Sequence, residues 1–154
     1  MLGTNLSDIS DIHRLRDNRV LERRFLDFKE RAIGSGDGEK REFLKDICAF
    51  ANTSGGYLVL GMRTKDGAAD EVCGIDLPDP DKEKQRLTHL VRDGLEPRLS
   101  GLDLVWLPTV GTCGVMVVRV ARSWLAPHRV TFLKDMNFYV RNPARKHPMG
   151  VNEL

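Results

Sequence analysis

Glu22, Asp27 and Lys29 have the types and spacing to act on a phosphodiester. Asp27 and Lys29 stand two apart in Arg24-Phe-Leu-Asp-Phe-Lys29, which reads as a short strand. Side chains alternate across a strand, so Phe25, Asp27 and Lys29 share one face and Leu26 and Phe28 the other. A carboxylate and an ammonium group on one face can hold a divalent cation and steer an attacking water or a scissile phosphate. Glu22, five residues before Asp27, can reach back as a second acid. The bland alternative is a surface strand carrying a charge pair, since Asp-x-Lys recurs by chance.

Three other motifs compete for attention. Gly34-Ser-Gly-Asp-Gly-Glu-Lys40-Arg41 resembles a phosphate loop, but Glu39 separates Gly38 from Lys40, and Arg41 replaces the hydroxyl that would reach magnesium. It reads as a flexible loop, with no ATP site. Cys48, Cys73, Cys113 and the four histidines are scattered without a C-x-x-C, so no zinc site is expected. Asn52-Thr-Ser-Gly-Gly56 could be a phosphate-binding turn, yet it follows a helix instead of opening one. Close backbone approach is its structural explanation.

These residues need a scaffold. Residues 1–19 read as a polar lead-in, with a short helix opening near Asp8–Ser10. Phe43, Leu44, Ile47, Phe50 and Ala51 form one apolar stripe, predicting a helix over 39–52. Tyr57–Met62 is a nearly continuous apolar run, the pattern of a strand buried on both faces. Lys65-Asp66-Gly67 predicts a turn, with a return strand at Glu71–Gly74. A second helix over 81–94, paired strands at 102–107 and 114–120, and a last strand at 137–141 follow. Pro143–Asn152 reads as a basic tail. Helices between strands, with paired strands later, predict a single mixed α/β sheet domain.

The 154 residues suit one domain, and 41% hydrophobic with 30% charged content excludes a wholly disordered chain. No apolar run is long enough to span a membrane, and the first ten residues lack a secretory pattern. Three well-separated cysteines suggest reduced thiols in a cytoplasmic protein. The net charge of +2 is unevenly spread. From Arg119 onward, Arg119, Arg122, Arg129, Lys134, Arg141, Arg145 and Lys146 are opposed only by Asp135 and Glu153. A basic C-terminal quarter suits a polyanion, or is simply a solvated surface.

Read together, several segments resemble the core domain of the Schlafen family, the AlbA-type module once labelled a divergent AAA domain and widespread in bacteria. Glu22-x4-Asp27-Phe-Lys29 is similar to the family's E-x4-E-F-K. Ala49-Phe-Ala-Asn-Thr-Ser-Gly-Gly-Tyr-Leu-Val-Leu-Gly61 matches its most specific segment. Val72-Cys-Gly74, Pro127-His-Arg129, Phe138–Arg141 and Met149–Leu154 follow in order, so the resemblance covers about 20–154.

The resemblance implies a mixed α/β domain that engages nucleic acid, RNA of tRNA type or DNA. Some members are metal-dependent endoribonucleases using magnesium or manganese on three acids. Carried over, Glu22 and Asp27 are catalytic and metal-holding, with Lys29 stabilising charge. The third acid is missing where expected. The chain reads Gly61-Met-Arg63-Thr64, and the nearest aspartate is Asp66. The alternative is therefore a non-catalytic module contacting phosphates through Arg129, Arg141, Arg145 and Lys146, with His128 or Tyr139 touching sugar or base. Animal members pair two such domains around a basic channel, so a homodimer is a third expectation.

Overall fold

The computed structural model of the chain describes residues 5–142 and 146–150. Helix α1 (Ile9–Asp17) starts from a capping box in which the Asp8 and Asp11 carboxylates each accept from the other end of the first turn. Next come β1 (Leu26–Lys29), α2 (Asp37–Asn52), β2 (Gly56–Leu60), β3 (Met62–Lys65), β4 (Ala68–Val72), β5 (Ile75–Asp76) and α3 (Pro80–Gly94). The chain continues with β6 (Leu95–Glu96), β7 (Leu102–Pro108), β8 (Cys113–Val120), β9 (Arg129–Val130), a 3₁₀ turn (Phe132–Lys134), β10 (Tyr139–Arg141) and β11 (Lys146–Pro148). The fold is mixed α/β.

The central sheet grows around β8. β2 pairs antiparallel with one edge of β8, and β5 extends that edge near Gly114. β7 covers the other edge from Leu102↔Val120 to Pro108↔Gly114. β1 runs parallel to β2, and a parallel pair needs a long crossover, which α2 supplies. One sheet face carries Leu58, Leu60, Met116 and Val118 beneath α2 and α3. The other carries Leu26, Phe28, Val59 and Val117 beneath α1 and the β3–β4 hairpin.

The apolar run Tyr57–Met62 is not one strand. Gly61 has φ +110°, and a Cβ there would sit 3.0 Å from Gly74 Cα, so the chain leaves the sheet after Leu60 and turns into β3. The return strand starts earlier than expected, at Ala68. The N-terminal segment is more than a polar lead-in, because Leu6, Ile12 and Leu15 are buried in the second core. The tail contributes β11, which pairs antiparallel with β10. No helix among the described residues is long and apolar enough to cross a membrane.

Asn52-Thr-Ser-Gly-Gly56 is a structural joint. The Asn52 side-chain amide donates to the carbonyls of His128 (2.8 Å) and Tyr139 (2.9 Å), and its oxygen accepts the His128 amide (2.6 Å). Thr53 Oγ1 accepts the Arg141 amide at 3.2 Å. Gly55 has φ +76°, and a Cβ there would lie 2.6 Å from the Val120 carbonyl. The motif thus binds α2, the end of β8 and the C-terminal segment together.

Candidate functional site

Strand alternation turns Asp27 and Lys29 toward α2, where they meet Asp46. Asp46 lies three residues after Phe43, on the buried face of the helix, and is fully buried. The Lys29 ammonium sits between the two acids, 3.8 Å from Asp27 Oδ2 and 3.3 Å from Asp46 Oδ2. Lys146 reaches in from β11, 2.9 Å from Asp46 Oδ1 and 3.1 Å from Glu42 Oε2. Arg141 comes from β10, 3.5 Å from Asp27 Oδ2, with its guanidinium over the Phe50 ring, 4.6 Å from the ring centre. Two further bonds of 3.0 Å run from Arg141 to the carbonyls of Arg23 and Arg24. Burial pushes the Asp46 carboxyl upward while Lys29 and Lys146 pull it down. Lys146 is held above its ordinary value because Asp46 and Glu42 outweigh its burial.

Glu22 joins this group at its edge. Its carboxyl neighbours that of Asp27, and the two share the Phe28 amide, which lies 3.3 Å from Glu22 Oε1 and 2.9 Å from Asp27 Oδ1. Burial, and then the neighbouring Asp27, push the Glu22 carboxyl up to about 7. Glu22, Asp27 and Lys29 are therefore brought together as the spacing implied.

The residues present do not fit a resident divalent ion. Asp27 is already engaged by Arg141 and Lys29. Among the described residues, no group of three His, Cys, Asp or Glu side chains could hold a metal. Asp66 sits exposed at the tip of the β3–β4 hairpin, outside any such group. Arg63, near the expected third acid, pairs with Glu30 at 2.6 Å and Glu71 at 3.0 Å. The acid cluster reads instead as an internal tie between β1, α2, β10 and β11. Beside it lies a cleft of about 600 Å³ lined by Lys29, Arg31, Glu30, Glu39, Glu42 and Asp46, whose acids outnumber its bases. Such a lining does not suit a polyanion.

The structure also redirects the expected phosphate contacts. His128 is fully buried, with Nε2 2.5 Å from Ser123 Oγ and Nδ1 2.6 Å from the Pro97 carbonyl oxygen. Arg141 is buried and spent on Asp27 and two carbonyls. Lys146 is spent on Asp46 and Glu42, and Arg129 pairs with Glu96 at 3.1 Å. Arg145 lies outside the described residues. Tyr139 is buried, and its hydroxyl donates to the Asp135 carboxylate at 2.9 Å. Arg141 and Lys146, each already facing a buried carboxylate, cannot also serve a phosphate without breaking that pair.

Other cations are available. Arg23 and Arg24 precede β1, Arg119 lies near the end of β8, and Arg122 follows it. All four are exposed, and none makes an ion pair among the described residues. The register Leu26↔Tyr57 and Tyr57↔Arg119 places them at one end of the sheet, with β1 and β8 separated only by β2. Charge counting placed Arg119 and Arg122 in the basic C-terminal quarter but did not single out Arg23 and Arg24. Asp46 was also missed, although a lone aspartate on an otherwise apolar helix face was a usable signal.

Comparisons with known proteins agree with this architecture. The DIP2311 protein of Corynebacterium diphtheriae superposes with a TM-score of 0.59 at 19% identity, over 92% of this chain and 26% of that one. This chain thus spans about a quarter of that protein's length. The N-terminal domain of an ATP-dependent DNA helicase RecG-related protein from Nitrosomonas europaea gives a TM-score of 0.61 at 22% identity, over 95% of both chains. At these identities the likeness shows the fold. No curated protein matches the sequence. Residues 22–150, covering the acid cluster, the Asn52 joint and β10–β11, match the family described as Schlafen, AlbA_2, and the chain belongs to that family.

Proposed function

We propose that this domain binds nucleic acid through the arginine-bearing end of its sheet, without cutting it. The observation that carries this reading is the group of four exposed arginines without ion-pair partners among the described residues: Arg23, Arg24, Arg119 and Arg122. An unspent guanidinium can bind phosphate oxygens in a bidentate manner. β1 and β8 stand about 10 Å apart across β2, so the four span a width that a strand of nucleic acid can follow. Family membership supports a nucleic-acid partner. So does the Nitrosomonas neighbour, which belongs to a DNA helicase-related protein.

An endoribonuclease is the second reading. It is favoured by the adjacent Glu22 and Asp27 carboxyls beside Lys29, and opposed by the cations that already engage Asp27.

The test titrates labelled tRNA, single-stranded DNA and duplex DNA by fluorescence anisotropy at several salt concentrations, with EDTA, magnesium or manganese, and analyses each RNA on a gel. Binding should weaken as salt rises, because phosphate contacts release counterions. A combined Arg23→Ala and Arg122→Ala variant should lower the log–log slope by roughly 1.5. The nucleic acid should remain intact. A salt-independent affinity would overturn the interface. Metal-dependent cutting abolished by Asp27→Asn would establish the nuclease instead.

A further inference from the structure

Trp124 is 90% exposed, and Leu125 beside it is 61% exposed. A large aromatic with almost no contact to its own chain is costly to leave in water, which marks it as a contact surface. The segment carrying it is firmly seated. The Ser123 amide donates to the Ala51 carbonyl at 3.2 Å, fastening the segment to the end of α2. Ser123 Oγ accepts the Leu125 amide at 3.1 Å and bonds to the buried His128 ring. The indole therefore stands on a fixed base and needs no rearrangement to be presented.

Its neighbours decide what it would meet. The Arg122 guanidinium lies 5.7 Å from the centre of the Trp124 ring, leaving the opposite ring face open to a partner. Arg122 is itself one of the four exposed arginines, and Arg119 lies three residues before it. An apolar protein partner would have to desolvate these guanidinium groups without compensation. A nucleic acid compensates them with phosphates and presents flat bases to the indole.

We propose that Trp124 is a stacking platform for an unpaired base, so that the domain prefers single-stranded segments or loops to uninterrupted duplex. This rests on the nucleic-acid reading above and deepens it. Bases inside a duplex are stacked on one another, and only an unpaired base offers its face to a protein aromatic.

The test uses the whole chain with a labelled single-stranded 12-mer and the duplex of the same sequence, comparing wild type, Trp124→Phe and Trp124→Ala. Thermal melts check that the variants fold, as expected for so exposed a position. Single-strand binding by the wild type should exceed duplex binding and should quench tryptophan emission. Trp124→Ala should weaken single-strand binding about tenfold and leave duplex binding nearly unchanged. Trp124→Phe should retain most of the affinity but abolish the quench, Trp106 being the other tryptophan. Undiminished single-strand affinity in Trp124→Ala, together with weakened binding in Arg122→Ala, would overturn the stacking role and leave the arginine interface standing. Absence of binding by the wild type would overturn both. A wild-type dimer in light scattering that Trp124→Ala converts to monomer, with nucleic-acid affinity unchanged, would reassign the surface to a second copy of the chain.

Discussion

The guanidinium of Arg141 lies 3.5 Å from the Asp27 carboxylate, joining the last part of the chain to its first central strand across 114 positions. The same group bonds to the carbonyls of Arg23 and Arg24 and stacks over Phe50. One buried side chain thus fixes the entry to β1, the end of α2 and the position of β10. This relationship carries the first prediction.

Arg141→Ala should destabilise the domain by about 3 kcal/mol or more, since it strands a buried carboxylate and two carbonyls. Asp27→Asn should cost less, because Arg141 keeps its two carbonyl partners. Urea denaturation of the two variants measures both. Equal losses would mean that the ion pair, not the carbonyl bonds, holds the joint.

Asn52→Ala should cost about 2–4 kcal/mol, because it removes three side-chain bonds to buried backbone groups. Asn52→Asp should not rescue it, since a carboxylate accepts the His128 amide but cannot donate to the two carbonyls. Hydrogen exchange should show the loss concentrated in 128–141. A uniform loss across the domain would contradict the role of Asn52 as a local clasp.

Glu22 predicts a pH dependence. Its folded carboxyl titrates at about 7, against an ordinary 4.5. Between these values the folded state binds more protons than the unfolded one, so stability should fall as pH rises from about 4.5 to about 7. The contribution is complete below that window and gone above it. Glu22→Gln should flatten this slope in melts recorded across the range. An unchanged slope would place the titration elsewhere.

Spent and unspent cations should separate cleanly in binding. Arg129→Ala should leave nucleic-acid affinity within about twofold, because its guanidinium already faces Glu96. Arg23→Ala and Arg119→Ala should each weaken binding and reduce the salt slope by roughly 0.7–0.9. Anisotropy titrations at two salt concentrations distinguish the two classes. The reverse ranking would move the interface to β6–β9.

Local rules alone determined a good part of this protein. Period-two alternation put Asp27 and Lys29 on one face of β1, and the apolar stripe at Phe43, Leu44, Ile47 and Phe50 placed α2 to within two residues of its start. Both follow from backbone geometry, which neighbouring residues express without help from distant ones. The ordered motifs from Glu22 to Gly150 carried the family. Tertiary structure decided which charges are available. Asp46 meets Lys29 and Lys146, and Arg141 meets Asp27, only because α2, β10 and β11 pack against β1. Arg129, Arg141 and Lys146 look as free as Arg119 and Arg122 in the sequence, yet the first three are paired and the last two have no ion pair among the described residues. Charge is a property of a residue, whereas its availability depends on whatever distant group the fold brings within about 4 Å.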